Sequence, residues 1–334
     1  MSSQADEETN NQRIVDRVKG LVTRTKETPE QEAAFKPRFK RVHVIINPAA
    51  GKDRPILKTL NTVFNDMNVD WDAFVTKHEG DAERMAREAV EAGVDAVAAY
   101  GGDGTVLEVA SGLRGSDVPL CILPGGTGNV ISIELGIPGD LKAAAALLGA
   151  DTTEIRALDM GDAGGHLFFH LGIGIEGEMI KGADRESKDS SGLFAYILSA
   201  LNTLRDVPTA HYTITLDGQQ HMIEGVNCMI TNFGSTGIGG LKLSHAIDMT
   251  DGLFDVIVIR RVDFGGVLSA ATNAITSGEI ADVLVQWQGR EVRIEVDPPQ
   301  PITRDGELLE LDEIHAEIVP GAIRVIVPGK SDGA

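Results

Sequence analysis

From Arg41 onward, short apolar runs alternate with stretches that repeat their apolar positions every three or four residues. Val42-His43-Val44-Ile45-Ile46 is such a run, closed by Asn47-Pro48. The pattern then predicts a helix around Pro55 to Met67 and a strand near Val69 to Val75. Asp81 is placed to cap a helix running to Ala92. Two further apolar runs, Ala96 to Tyr100 and Pro119 to Leu123, each lead into a glycine-rich turn. Strands alternating with helices imply βαβ units and a parallel sheet covered on both faces. In such open α/β sheets ligands are expected beyond the carboxyl ends of the strands.

The pattern changes after about residue 150. Leu167 to His170, His211 to Leu216, Val226 to Thr231, Phe254 to Ile259, Val292 to Val296 and Ile323 to Val327 read as strands. Asp217-Gly218 and Asp251-Gly252 supply turn signals between several of them. Only Gly192 to Arg205 and Phe264 to Ser277 read as helices. The expected organisation is an N-terminal appendage over 1–40, an α/β domain over 41–150 and a β-rich domain over 151–330, whose last strands return toward the first. The active site is then expected in the cleft between the two domains. In the appendage, Ile14, Val18, Leu21 and Val22 share a helical face beside Arg13, Arg17, Lys19, Arg24 and Lys26. That pattern suits a solvated terminal helix, or a basic amphipathic segment touching a membrane or partner.

Charge narrows the function classes. A formal net charge of −20 over 334 residues argues against general nucleic-acid binding, which rests on Lys and Arg neutralising phosphates. It leaves nucleotides open, because backbone amides hold phosphates without a basic surface. Any contact with an anionic membrane needs a local basic patch. No stretch approaches the roughly 18 uninterrupted apolar residues that span a bilayer, and the polar start lacks a secretory pattern. Two cysteines, Cys121 and Cys228, imply no disulfide framework and a cytoplasmic chain.

Three turns carry the candidate chemistry. Gly101-Gly102-Asp103-Gly104-Thr105 follows a buried strand and opens a helix; such a helix start offers amides and a positive dipole to phosphate oxygens. Thr105 and Glu108 have capping-box spacing. Asp103 repels phosphate directly, so it needs Mg²⁺ or a hydroxyl as partner. Pro124-Gly125-Gly126-Thr127-Gly128-Asn129 lies between another strand and helix. Asn47-Pro48-Ala49-Ala50-Gly51-Lys52 follows the first strand, and Asp53 after Lys52 excludes a Walker A loop. Each turn alone is a weak signal, but three at successive strand ends point to one nucleotide site. Gly172-Ile173-Gly174-Ile175-Glu176-Gly177 mimics a dinucleotide fingerprint outside any βαβ setting, and reads as a structural turn.

These loops resemble the signature loops of the diacylglycerol kinase catalytic family, whose relatives include sphingosine and ceramide kinases and, more distantly, NAD kinase. Leu158-Asp159-Met160-Gly161, Phe168 to Glu176, Gly192 to Tyr196, Asn232 to Gly240, Asp251 to Val256 and Asp305-Gly306-Glu307 extend the similarity across about residues 41 to 328. The resemblance implies an NAD kinase/diacylglycerol kinase-like fold, an open α/β domain followed by a β-sandwich. It implies transfer of the ATP γ-phosphoryl group to a lipid hydroxyl, most directly diacylglycerol to phosphatidic acid, at a membrane surface and without a membrane span. On matching positions it gives ATP to Asn47, Pro48, Ala49, Ala50, Gly51, Thr76, Gly101, Gly102, Gly104, Thr105, Glu108, Gly126, Thr127 and Asn129. It gives catalysis to Glu307, as proton acceptor, with Asp103, and Mg²⁺ to Asp248, Asp251 and the carbonyl of Leu253. A homodimer is compatible with it. The family's usual Asp-Phe-Ala-Arg after Asn129 is here Val130-Ile131-Ser132-Ile133, and Gly237 to Gly240 is altered too. NAD or a sphingoid base as acceptor, or a nucleotide-binding protein of weak turnover, are the alternatives.

Overall fold

The computed structural model describes residues 38–51, 55–150, 152–174, 208–235, 242–261, 284–311 and 313–329. Residues 1–37 of the appendage, Lys52 and Asp53, Glu176, the helices expected at Gly192 to Arg205 and Phe264 to Ser277, and Gly237 to Gly240 lie outside the described residues. Contacts divide the chain into two units. One runs to Ala157 and takes up the chain again at Ala322, and the other is Leu158–Gly321.

In the first unit, β1 (Arg41–Ile46), β2 (Asp70–Val75), β3 (Ala96–Gly101) and β4 (Leu120–Pro124) pair in parallel in the order β2-β1-β3-β4. β3 and β4 are buried at every position, as strands covered on both faces must be, whereas β2 at the edge is mostly exposed. Helices α1 (Ile56–Asp66), α2 (Asp81–Glu91) and α3 (Asp103–Leu113) connect them. α1 turns Leu60, Val63 and Phe64 inward, and Phe64 meets Trp71 edge-on at 5.5 Å. α2 buries only Ala82, Ala86 and Ala89. Those small residues let α3 approach so closely that a Cβ on Gly112 would stand 2.3 Å from the Glu83 carbonyl oxygen. Asp81 does not cap α2. The cap position is Gly80 at φ +80°, and the Asp81 carboxylate accepts from the upstream amides of Lys77 and His78 at 2.9 Å each.

The second unit is antiparallel. One layer holds β8 (Ala210–Leu216), β9 (Gln219–Gly225), β13 (Glu291–Asp297) and the start of β16 (Ile314–Pro328). The other is six-stranded, in the order β12-β11-β10-β7-β14-β15, from β12 (Leu284–Gly289), β11 (Phe254–Ile259), β10 (Asn227–Thr231), β7 (His170–Gly174), β14 (Ile302–Arg304) and β15 (Glu307–Leu309). Phe168, Leu171, Ile173, Tyr212, Ile214, Ile230, Phe254, Val256, Val292 and Ile294 fill the core, and Phe168 stacks on Phe254 at 5.7 Å. This is the expected β-sandwich.

Several elements differ from the sequence reading. Leu167 to His170 divides into β6 (His166–Phe168) and β7, broken at Phe169. Gly172 and Gly174 lie inside β7, so they form part of a strand and not a turn. β5 (Thr153–Ala163), β9, β12, β14 and β15 gave no clear pattern. β9 is an edge strand whose polar residues leave almost nothing buried, and β14 and β15 are three residues each. Asp217-Gly218 does make the tight turn expected of it, at φ +48° and +81° between β8 and β9.

Candidate active site

The order β2-β1-β3-β4 sends the chain outward in opposite directions from β1 and β3, so the turns after these strands flank the switch point of the sheet. The turns after β1, β3 and β4 meet there, and glycine makes the meeting possible. Gly51, at φ +76°, lies so close to the second turn that a Cβ would stand 2.0 Å from the Gly125 carbonyl oxygen. A Cβ on Gly126 would stand 2.5 Å from Cα of Gly102. One on Gly101 would collide with Thr105 at 2.4 Å. The first two are backbone-on-backbone contacts that no other residue type tolerates.

Polar side chains lock the same turns. Asn47 donates from Nδ2 to the Thr105 hydroxyl at 3.1 Å, while its Oδ1 accepts the Ala49 amide at 3.0 Å. The amides of Gly125 and Gly126 donate to the Gly101 carbonyl at 2.8 and 3.1 Å. Asn129, at φ +50°, closes its own turn by exchanging hydrogen bonds with the backbone of Gly126. Asp103 accepts the Ile131 amide at 3.2 Å, at the start of α4 (Val130–Glu134). Thr76 follows β2 and donates its amide to the Ile46 carbonyl at 3.0 Å. Pro48, Ala49, Thr127 and Gly128 are exposed, and Ala50 and Gly104 half-buried.

The capping box is corrected. α3 begins at Asp103 with no side-chain cap, which puts Thr105 inside the first turn. Glu108 points elsewhere and accepts the Ala82 amide at 3.0 Å at the start of α2. Burial raises its carboxyl, against the amides of Ala82, Gly80 and Glu83, which favour its charge.

In the second unit, Asp248, Asp251 and Leu253 share the loop before β11. Asp248 accepts from the amide and hydroxyl of Thr250 at 2.9 and 2.7 Å, and Asp251 accepts the Leu253 amide at 2.9 Å. Asp159, within the Leu158-Asp159-Met160-Gly161 landmark, holds this loop. It is buried, and its two carboxylate oxygens accept the amides of Gly252 and Gly321 at 2.7 Å each. Partial desolvation, then the charges of Asp248 and Asp159, raise the Asp251 carboxyl. Glu307 opens β15, exposed and opposite Arg304 across a two-residue turn of Asp305 (φ +48°) and Gly306 (φ +91°). Asp305 accepts the amides of Phe169 and His170 at 3.1 and 3.0 Å, fixing that turn to β7.

Residues 41–163 match the model of the diacylglycerol kinase catalytic domain, and residues 171–327 that of the YegS C-terminal NAD kinase beta sandwich-like domain. A Pseudomonas aeruginosa protein named "Probable lipid kinase YegS-like" is 34% identical over 77% of this chain and 84% of its own. The chain belongs to the diacylglycerol kinase family. The Bacillus subtilis protein named diacylglycerol kinase is 28% identical over 80% of this chain and 90% of its own. A solved structure of a diacylglycerol kinase from Bacillus anthracis matches 87% of this chain and 98% of that one, with a TM-score of 0.67 at 26% identity. Membership makes this protein a kinase, with ATP as phosphoryl donor. Within the family frame, Val130 and Ile133 stand on α4, and Ile133 is 45% exposed.

Gly51→Ala should raise the KM for ATP at least tenfold, because both the clash and the φ must be relieved by moving the loop. Gly115→Ala has a similar φ of +71° but open space, and should cost about 1 kcal/mol of stability while leaving the KM alone. Equal KM values would refute the packing argument. Burial raises the Asp305 carboxyl to about 7, against His170, two amides and Arg304. A carboxyl raised by folding stabilises most below its unfolded pKa of about 4, and that contribution is lost as pH rises through the folded value. The melting temperature relative to Asp305→Asn should therefore fall from about pH 5 to about pH 8; a constant difference would place Asp305 in the ordinary carboxylate range.

Proposed function

We propose that this kinase transfers the γ-phosphoryl group of ATP to a lipid hydroxyl, with diacylglycerol as acceptor and phosphatidic acid as product. The observation that carries the reading is the mutual, glycine-only packing of the three turns at the switch point of a parallel sheet. It brings an uncapped helix start and exposed turn backbone to one place, as polyphosphate requires. Asn47 to Gly51, Thr76, Gly101 to Thr105 and Gly126 to Asn129 hold the nucleotide in this account. Asp103 and Glu108 act through the turns and helices they fix.

In the reaction, the acceptor oxygen bonds to the γ-phosphorus as the bond from that phosphorus to the β–γ bridging oxygen breaks. ADP leaves, and the hydroxyl proton passes to Glu307. The exposed hairpin position of Glu307 suits a group that meets a bulky acceptor. Asp248, Asp251 and the Leu253 carbonyl are hard oxygen donors of the kind Mg²⁺ takes, and the like charges of Asp159, Asp248 and Asp251 favour a cation there. Mg²⁺ held by these residues would supply charge neutralisation. Among the described residues no helix is long and apolar enough to cross a membrane; in this account the lipid acceptor is met at a bilayer surface.

The test offers diacylglycerol, a sphingoid base, ceramide and NAD separately to the protein with Mg²⁺ and γ-labelled ATP. Label should enter diacylglycerol, and Glu307→Gln should lower kcat by about 10²- to 10⁴-fold with little change in the KM for ATP. Label in NAD and in no lipid would overturn the reading, and full activity of Glu307→Gln would remove the assigned base.

A further inference from the structure

Beneath the three turns lies a side chain that the nucleotide account does not use. Tyr100, at the end of β3, is fully buried, with 0% of its surface exposed. Its ring supports Gly125 from below, where a Cβ would stand 2.9 Å from Cζ. Its hydroxyl lies beside Gly51, 3.7 Å from the position a Cβ would take there. That hydroxyl has no hydrogen-bond partner. Phenylalanine would fill the same volume without leaving a buried donor unpaired, which is a costly arrangement.

The peptide linking Gly125 to Gly126 explains what the hydroxyl could serve. Its N–H donates to the Gly101 carbonyl and to Oδ1 of Asn129. Its C=O points at Gly51, beside the phenol. The two groups belong to one rigid plane, so they must turn together. Glycine on both sides permits that rotation. A phosphate oxygen that draws the N–H away from Gly101 also swings the carbonyl away from its present direction.

We propose that Tyr100 is a positioning residue for the nucleotide, whose hydroxyl donates to the Gly125 carbonyl when a polyphosphate takes the Gly126 amide. The hydroxyl is then a reserve donor, idle in the free protein and paired in the loaded one. This rests on the proposal that the three turns hold ATP.

Tyr100→Phe separates this from a merely structural role, because the two properties move in opposite directions. The free variant should melt at the same temperature as the native protein or higher, since an unpaired buried hydroxyl is gone. Its Kd for Mg²⁺-ATP by calorimetry should rise about five- to tenfold, the loss of one hydrogen bond. The chain has three tyrosines, Tyr100, Tyr196 and Tyr212. In 3-fluorotyrosine-labelled protein, the ¹⁹F resonance missing from the variant is that of Tyr100, and it should shift on adding ATP. An unchanged Kd, a stationary resonance, or a drop in melting temperature that accompanies the weaker binding would overturn the proposal. Failure of the native protein to bind ATP would instead overturn the nucleotide reading on which it stands.

Discussion

Contact between bare backbones at the end of a parallel sheet is the constraint on which the first unit depends. Gly51 lies against the carbonyl of Gly125, and Gly126 lies against Cα of Gly102. At these distances a single methyl group would push one turn off its neighbour. The turns after β1, β3 and β4 are therefore one object, and the side chains around them serve its shape. Asn47 reaches across to Thr105, Asn129 closes the second turn on itself, and Asp103 ties the first turn to α4. In the proposed function an acidic chain holds polyphosphate in this way, with amides and a helix start doing the work that Lys and Arg would otherwise do.

The second unit solves a related problem with carboxylates. Asp159 and Asp305 each accept two backbone amides from distant parts of the chain. Each thereby fixes a turn that carries other acids, Asp159 the loop of Asp248 and Asp251, and Asp305 the hairpin of Glu307. Two amides satisfy a carboxylate well, yet burial still raises Asp305. Order in the Glu307 hairpin is thus maintained against a standing cost in desolvation.

Much of this was legible in the sequence, and what was not had physical reasons. β1, β3 and β4 announced themselves because strands covered on both faces must be apolar throughout. β9 did not, because an edge strand with Gln219, Gln220, His221 and Glu224 carries no such requirement. The glycine turns stood out, but their mutual contact did not, since closeness between Gly51 and Gly125 is a tertiary fact. Thr105 and Glu108 had capping-box spacing and misled, because the helix starts two residues earlier and Glu108 finds amides of another helix. Asp159 sits in a landmark and Tyr100 at the end of an apolar run, but their roles lie in what the fold brings to them.

The most direct test of the glycine-packed platform follows backbone amides by NMR while Mg²⁺-ATP is added. The amides of Gly51, Gly102, Gly104 and Thr127 should shift together along one saturation curve, because the three turns respond as a unit. Shifts confined to one turn, or separate curves for each, would contradict the account.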